Sequence, residues 1–277
     1  MRRRSQVLTL LTALLVAALA YGIYYGIRWP RQLHRDWQVV DRIRLSRPDS
    51  LSLGPDGRLR YVTLETIPGF LVELTPDGPK TVFGDFGEPD GTLLLDDAIV
   101  VSEEDTGGRV LLYHFASARL RVLARIDHAE GLLRQPDGRL VVAQDMPGGK
   151  LIEIADDGST RTLVDGLDQP EGLCRLPDGR IGIAESGRGR ILAHGPAGTE
   201  VLADDLDGVD QIACGADGSL WAVQSAVRSG RLVRIKDGHR RVVMSRLREP
   251  QGIALAPDGS VYLAETRANR VLHLKPR

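Results

Sequence analysis

From Trp37 onward the chain is a succession of short apolar runs, each closed by Pro, Asp or Gly. Between Gly172 and Leu206 these runs are "GLCRL", "RIGIAE", "RILAHG" and "EVLADDL", separated by a Pro-Asp-Gly turn and by Gly-containing turns. Runs of this length and punctuation predict strands joined by hairpins.

The four-strand unit recurs. "RPDSLSLGPDGRL" from Arg47, "EPDGTLLLDDAI" from Glu88, "HAEGLLRQPDGRL" from His128, "QPEGLCRLPDGRI" from Gln169, "GVDQIACGADGSL" from Gly208 and "EPQGIALAPDGSV" from Glu249 are copies of one pattern. The turn glycines Gly138, Gly179, Gly218 and Gly259 lie 41, 39 and 41 residues apart, and the 81 residues from Gly57 to Gly138 leave room for one degenerate copy that turns at Asp96-Asp97. Six copies of about 40 residues with four strands each predict an all-β, six-bladed propeller. The last copy stops after its third strand, "NRVLHLKPR", and an orphan strand, "WQVVDRIRL", precedes the first. Pairing that N-terminal strand into the last blade closes the ring and removes two open sheet edges. The propeller is therefore expected over residues 37–277.

Ahead of it, three arginines precede an uncharged run from Ser5 to Ile27, with Tyr21, Tyr24, Tyr25 and Trp29 at its far end. About 20 apolar residues span a bilayer, and aromatic residues gather at its interface. Residues 1–28 are expected to form a single transmembrane signal anchor, and 29–36 a stalk. Membrane contact would run through residues 5–27, with the propeller on the extracytoplasmic side. Ala18-Leu19-Ala20 supplies the alternative, a cleavage point after Ala20.

Charge and composition narrow the partners. A net charge of −1 gives no basic surplus for nucleic acid, so a small-molecule substrate is expected, with a protein partner as an open alternative. The two cysteines, Cys174 and Cys214, occupy the same place in successive copies. They read as small buried core residues, with a bridge left open. No Cys/His spacing for zinc and no nucleophile elbow is present.

The chemistry lies in the acids. Eight residues before the turn glycine stand Asp49, Glu130, Glu171, Asp210 and Gln251, with Asp90 equivalent in the short copy. The first strand of a blade lines the central channel, so these six side chains are expected to form one ring at a channel mouth. A second set, Glu65, Glu103, Gln144, Glu185, Gln224 and Glu265, marks the ends of the second strands and is expected at the same mouth. The alternative for this second set is a strand-end acid satisfying backbone donors. Crowded carboxylates either keep protons or hold a cation, and oxygen donors suit hard divalent metals. His128, two residues before Glu130, is a candidate for proton transfer.

The copy "GVDQIACGADGSLWAVQSAVRSGRLVRI" resembles the penultimate blades of the SMP-30/gluconolactonase and strictosidine-synthase-like propellers, a likeness that covers about residues 37–277. The resemblance implies one channel metal held at Asp49, Glu171 and Asp210, where the family has Glu, Asn and Asp. Calcium is expected first, with Mn²⁺, Mg²⁺ and Zn²⁺ as alternatives. It further implies metal-dependent hydrolysis of a lactone or related ester, with Asp210 as base and Glu130 or Glu185 as alternatives. "IAESGRGRIL" is equally similar to NHL-type repeats, which imply a non-catalytic propeller that binds a ligand or protein around a structural metal.

Overall fold

The computed structural model describes Thr12, residues 15–17 and residues 31–277. It divides into a unit of residues 1–32 and a unit of residues 33–277. In the first, Thr12 and residues 15–17 are helical. The expected membrane anchor otherwise lies outside the described residues, among which no helix is long and apolar enough to cross a membrane.

The second unit is a propeller of six antiparallel blades of four strands each, and the sheet of blade five carries, outside its four, the two-residue strand Gln32–Leu33. Blade one comprises Pro48–Leu53, Leu59–Leu64, Gly69–Thr75 and Gly78–Phe86, numbered outward from the channel. Blade two comprises Pro89–Leu94, Ala98–Glu103, Arg109–His114 and Arg119–Arg125. Blades three, four and five begin at Ala129, Pro170 and Val209 and repeat the arrangement. Blade six takes Pro250–Leu255, Val261–Glu265 and Arg270–Pro276 from the C-terminus and its outer strand, Trp37–Arg44, from the N-terminal side. The register runs from Trp37 opposite Pro276 to Arg44 opposite Arg270, so the ring closes as the orphan strand predicts.

Six hydrophobic clusters lie among the described residues, one for each seam between neighbouring blades. Because side chains alternate along a strand, one strand feeds two seams. Val141 and Ala143 pack toward blade four, while Val142, between them, packs toward blade two. Both faces of the second strands are thus covered, which explains why they read as continuous apolar runs rather than alternating ones.

Cys174 and Cys214 form a disulfide, with their Cα atoms 5.5 Å apart. This corrects the reading of them as two unlinked core residues. The bridge staples the innermost strands of blades four and five. Room for it comes from Gly182, where a Cβ would lie 3.0 Å from the Cys174 sulfur and 3.5 Å from that of Cys214.

Candidate metal centre at the channel mouth

Each inner strand carries a bulge. In blade four Pro170 pairs with Glu185 and Leu173 with Ile183, so three steps on the inner strand match two on its neighbour. The other five blades show the same count. The extra residue falls at Asp49, Asp90, Glu130, Glu171, Asp210 and Gln251 and their successors. A bulge bends the strand and re-aims side chains, and here it does so at six equivalent places around one channel.

The glycine after the acid has its own reason. A Cβ on Gly131 would sit 2.2 Å from the carbonyl oxygen of Glu171, one on Gly91 2.4 Å from that of Glu130, and one on Gly252 2.0 Å from that of Asp49. At Gly172 it would lie 2.6 Å from the amide nitrogen of Ile212. Glycine lets successive inner strands approach until the ring contracts and its acids meet. In blade five Gln211 takes the place of this glycine and reaches across the channel, donating to Glu130 Oε1 at 2.8 Å.

Within this ring Glu130, Glu171 and Asp210 offer carboxylate oxygens that all lie within 4.8 Å of one another. Two oxygens on opposite sides of a Ca²⁺ ion, each at about 2.4 Å, are separated by about that distance, so the three fit a hard divalent cation. Asp49 is 1 % exposed, and neither of its carboxylate oxygens has a hydrogen-bond partner among the described residues; Oδ1 of Asp90 is likewise unpartnered. The geometric cluster therefore keeps Glu171 and Asp210 from the ligand set that the family resemblance implies and adds Glu130, while Asp49 lines the same channel as an unsatisfied acid.

Burial dominates the electrostatics. It pushes Asp49, Asp90, Glu130 and Glu171 well above the usual carboxylate range, and the neighbouring acids push further. Asp210 is raised to about 8, mainly by burial and then by Glu104, against hydrogen bonds from Gln211 and Ser225. Without a counter-ion these groups keep protons at neutral pH.

The second set divides differently from expectation. Pro48 pairs with Leu64, whereas Pro89, Pro170 and Pro250 pair with Glu103, Glu185 and Glu265. Glu103, Glu185 and Glu265 are buried inside their blades: they bind Arg109, Arg190 and Arg270 of the next strand, and accept from the backbone amides of Gly87, Asp168 and Arg248. Gln144 and Gln224 donate to the carbonyls of Asp127 and Asp207. These five serve backbone and arginine partners, so they do not join the mouth.

The mouth instead takes the next residue in each copy: Glu65, Glu104, Asp145, Ser186, Ser225 and Thr266. The amide of each donates to the carbonyl of the turn residue just before the inner strand, from Glu65 to Arg47 at 2.9 Å through Thr266 to Glu249 at 3.0 Å. Arg47, His128, Gln169, Gly208 and Glu249 hold this turn in the left-handed region. Glu65 is ion-paired with Arg47 at 2.5 Å. Thr266 donates to Gln251 Oε1 at 2.6 Å. Ser186 and Ser225 hydrogen-bond Glu171 and Asp210.

Glu104 and Asp145, absent from the expected set, hydrogen-bond one another. Burial and the facing acids raise Glu104 to about 9. Asp145 is also raised by burial, but the Glu104 hydrogen bond and nearby His128 act in the opposite direction, and its Oδ1 has no partner among the described residues. At neutral pH Glu104 is thus the proton donor of the pair. The signal that would have found them is the acid or hydroxyl following each strand-end Glu or Gln: "EE", "QD", "ES", "QS" and "ET".

No protein-family model and no curated protein matches the chain. Solved structures do. A gluconolactonase from Xanthomonas campestris superposes with TM-score 0.71 at 12% identity, over 90% of this chain and 95% of that one. A calcium-binding regucalcin from Agrobacterium tumefaciens gives TM-score 0.66 at 16% identity, over 86% and 94%. The virginiamycin B lyase of Staphylococcus aureus gives 0.62 at 14%, over 87% and 89%. This chain is a six-bladed β-propeller whose structural neighbours include regucalcin and gluconolactonase, and the fold is what it shares with them.

Proposed function

We propose that the chain is a divalent-cation-dependent hydrolase of a lactone or related ester, anchored to a membrane through residues 5–27 with its propeller on the extracytoplasmic side. The observation that carries this reading is the convergence of Glu130, Glu171 and Asp210 on one buried point of the channel, in a fold shared with gluconolactonases. The disulfide supports export, since such bridges persist in oxidising compartments.

Glu130, Glu171 and Asp210 would hold the cation, Ca²⁺ first, and when bound it supplies a Lewis acid for the ester carbonyl. Their carboxylates are then committed, which argues against Asp210 or Glu130 as the base. Asp145 is the better candidate: its partner Glu104 carries the proton of the pair, and Oδ1 is free to accept one from water. Water adds to the acyl carbon, its proton passes to Asp145, the ester C–O bond breaks, and the proton leaves with the alcohol oxygen. His128 supports the ionised form of Asp145.

The test is turnover of a lactone panel by the full chain, with Ca²⁺, Mn²⁺, Mg²⁺ or chelator. Turnover should vanish with chelator and in Glu171→Gln, while Asp145→Asn should lower kcat and leave cation affinity intact. A cation-dependent melting temperature with no turnover on any lactone would refute the hydrolase and leave a binding propeller with a structural ion.

A further inference from the structure

We propose that the seam between blades one and two holds a second binding site, separate from the channel mouth, for a small planar aromatic molecule bearing one anionic group. A cleft of about 710 Å³ opens there. It borders Leu53 and Leu94, the last residues of two inner strands whose acids, Asp49 and Asp90, stand at the opposite end. Four residues of strand at about 3.3 Å each put roughly 13 Å between the two sites.

The cleft has a cause in the sequence. The hairpin of blade one closes with Gly54 donating to Arg58, but that of blade two closes with Leu95 donating to Ala98, one residue sooner. Blade two is the copy without an Asp-Gly turn, and its shorter hairpin leaves space beside blade one.

Aromatic residues concentrate around that space. Residues 31–277 contain nine of them, and none lies between Ala116 and Leu220. Five form one connected group at this seam: Tyr61 stacks on Phe115 at 5.4 Å, Phe83 on Tyr113 at 4.9 Å, and Phe86 meets Phe83 edge-on. Tyr61, Tyr113 and Phe115 line the cleft, and the last two are only half-buried. The seam between blades three and four uses aliphatic residues alone for the same packing. A half-open aromatic shelf offers a face to a planar ring.

The charges select the rest of the ligand. Arg60, on the rim, is bound to Glu73 at 2.9 Å, and Asp96 lies 3.7 Å from Arg134. Lys80 is exposed and, among the described residues, makes no ion pair. The chain has four lysines, and the other three are paired, with Asp165, Asp217 and Asp258. Lys80 stands opposite Glu73, whose carboxylate is taken by Arg60; it is thus the cation beside the shelf without an ion pair among the described residues, and it calls for an anionic substituent on the ring.

The full chain would be titrated with naphthalene-2-sulfonate and, separately, with its neutral isostere naphthalene-2-sulfonamide, by calorimetry. One saturable site is expected for the sulfonate. Lys80→Gln, at an exposed position that leaves the fold intact, should weaken it about three- to fivefold, and the sulfonamide should bind wild type and variant alike. Phe115→Ala should weaken both ligands about two- to tenfold; it also lowers the melting temperature by removing packing, so its folding control is an unchanged far-ultraviolet circular dichroism spectrum with a single cooperative melt. Glu171→Gln at the channel mouth should change neither. Absence of saturable binding, equal affinity of Lys80→Gln for the sulfonate, or loss of binding in Glu171→Gln would each overturn the assignment.

Discussion

Replacing both cysteines by alanine, Cys174→Ala with Cys214→Ala, removes a cross-link between residues 40 apart in sequence. Alanine suits the place, because Cys174 is 7 % exposed and both sulfurs pack in the apolar seam of blades four and five, where a serine hydroxyl would lack partners. In the loop-closure account, freeing 40 residues in the unfolded chain costs about 13 cal/mol/K, or about 4 kcal/mol at 25 °C. The propeller unit spans residues 33–277. At about 2.1 cal/mol/K per residue its unfolding entropy is about 0.5 kcal/mol/K, so the melting temperature should fall by about 8 °C.

Scanning calorimetry of the oxidised wild type, the reduced wild type and the double variant measures this directly. The two unbridged forms should melt close together and well below the oxidised protein. A shift under about 2 °C would refute the reasoning, because the seam would then hold blades four and five together without the bridge. The bridge also ties the strands that carry Glu171 and Asp210, three and four residues away along the chain. Cation affinity should therefore weaken in the same variant.

Gly172→Ala would put a Cβ 2.7 Å from the Cα of Gln211 and 2.9 Å from the carbonyl of Asp210; it should cost about 1–3 kcal/mol in denaturant unfolding and weaken Ca²⁺ binding by parting Glu171 from Asp210. Glu185→Gln should cost about 1–3 kcal/mol, since one of its two buried acceptor oxygens becomes an NH2 group facing a donor, the Arg190 guanidinium or the Asp168 amide, while Ca²⁺ affinity measured by calorimetry stays as in wild type. Glu171→Gln should do the reverse, lowering affinity without loss of stability in the cation-free protein, because it removes an acid that burial already disfavours in its charged form.

The repeat was legible because each blade obeys the same two constraints, a turn needing glycine at positive φ and a second strand buried on both faces. The inner ring was legible for a related reason: its spacing from the turn glycine is fixed within one strand. Apart from Glu65, the second ring was misplaced by one position because its side chains lie just past the last ladder pair, where strand alternation no longer fixes which way they face. Glu103, Glu185 and Glu265 carry the charge that draws the eye, yet each has an arginine five or six residues later, Arg109, Arg190 or Arg270, to absorb it. Glu104 and Asp145 have no such partner. The disulfide was not legible as a bond, because cysteines 40 residues apart meet only if adjacent inner strands approach, and that approach is set by Gly172 and Gly182, whose contacts the cysteine spacing does not reveal.

The channel's excess of acid gives the cation-free and cation-bound proteins opposite responses to pH. Glu104 and Asp210 titrate near 9 and 8 in the folded chain, and unfolded carboxylates near 4. Between those values the folded state binds more protons than the unfolded one, so stability falls as pH rises, by up to about 1.4 kcal/mol per pH unit for each such group. The stabilising protonation is complete below about pH 4 and is lost as pH climbs through 8 to 9. A divalent cation held by Glu130, Glu171 and Asp210 takes the place of their protons, while Glu104 keeps its own. The cation should therefore raise the melting temperature more at pH 8.5 than at pH 5.5, and its binding should release protons. Calorimetric Ca²⁺ titrations at pH 7 in two buffers of different ionisation enthalpy would detect the release as a difference in apparent heat. Equal heats in both buffers, together with the same calcium-induced shift in melting temperature at both pH values, would mean that calcium binds elsewhere and that the ring is held by its protons alone.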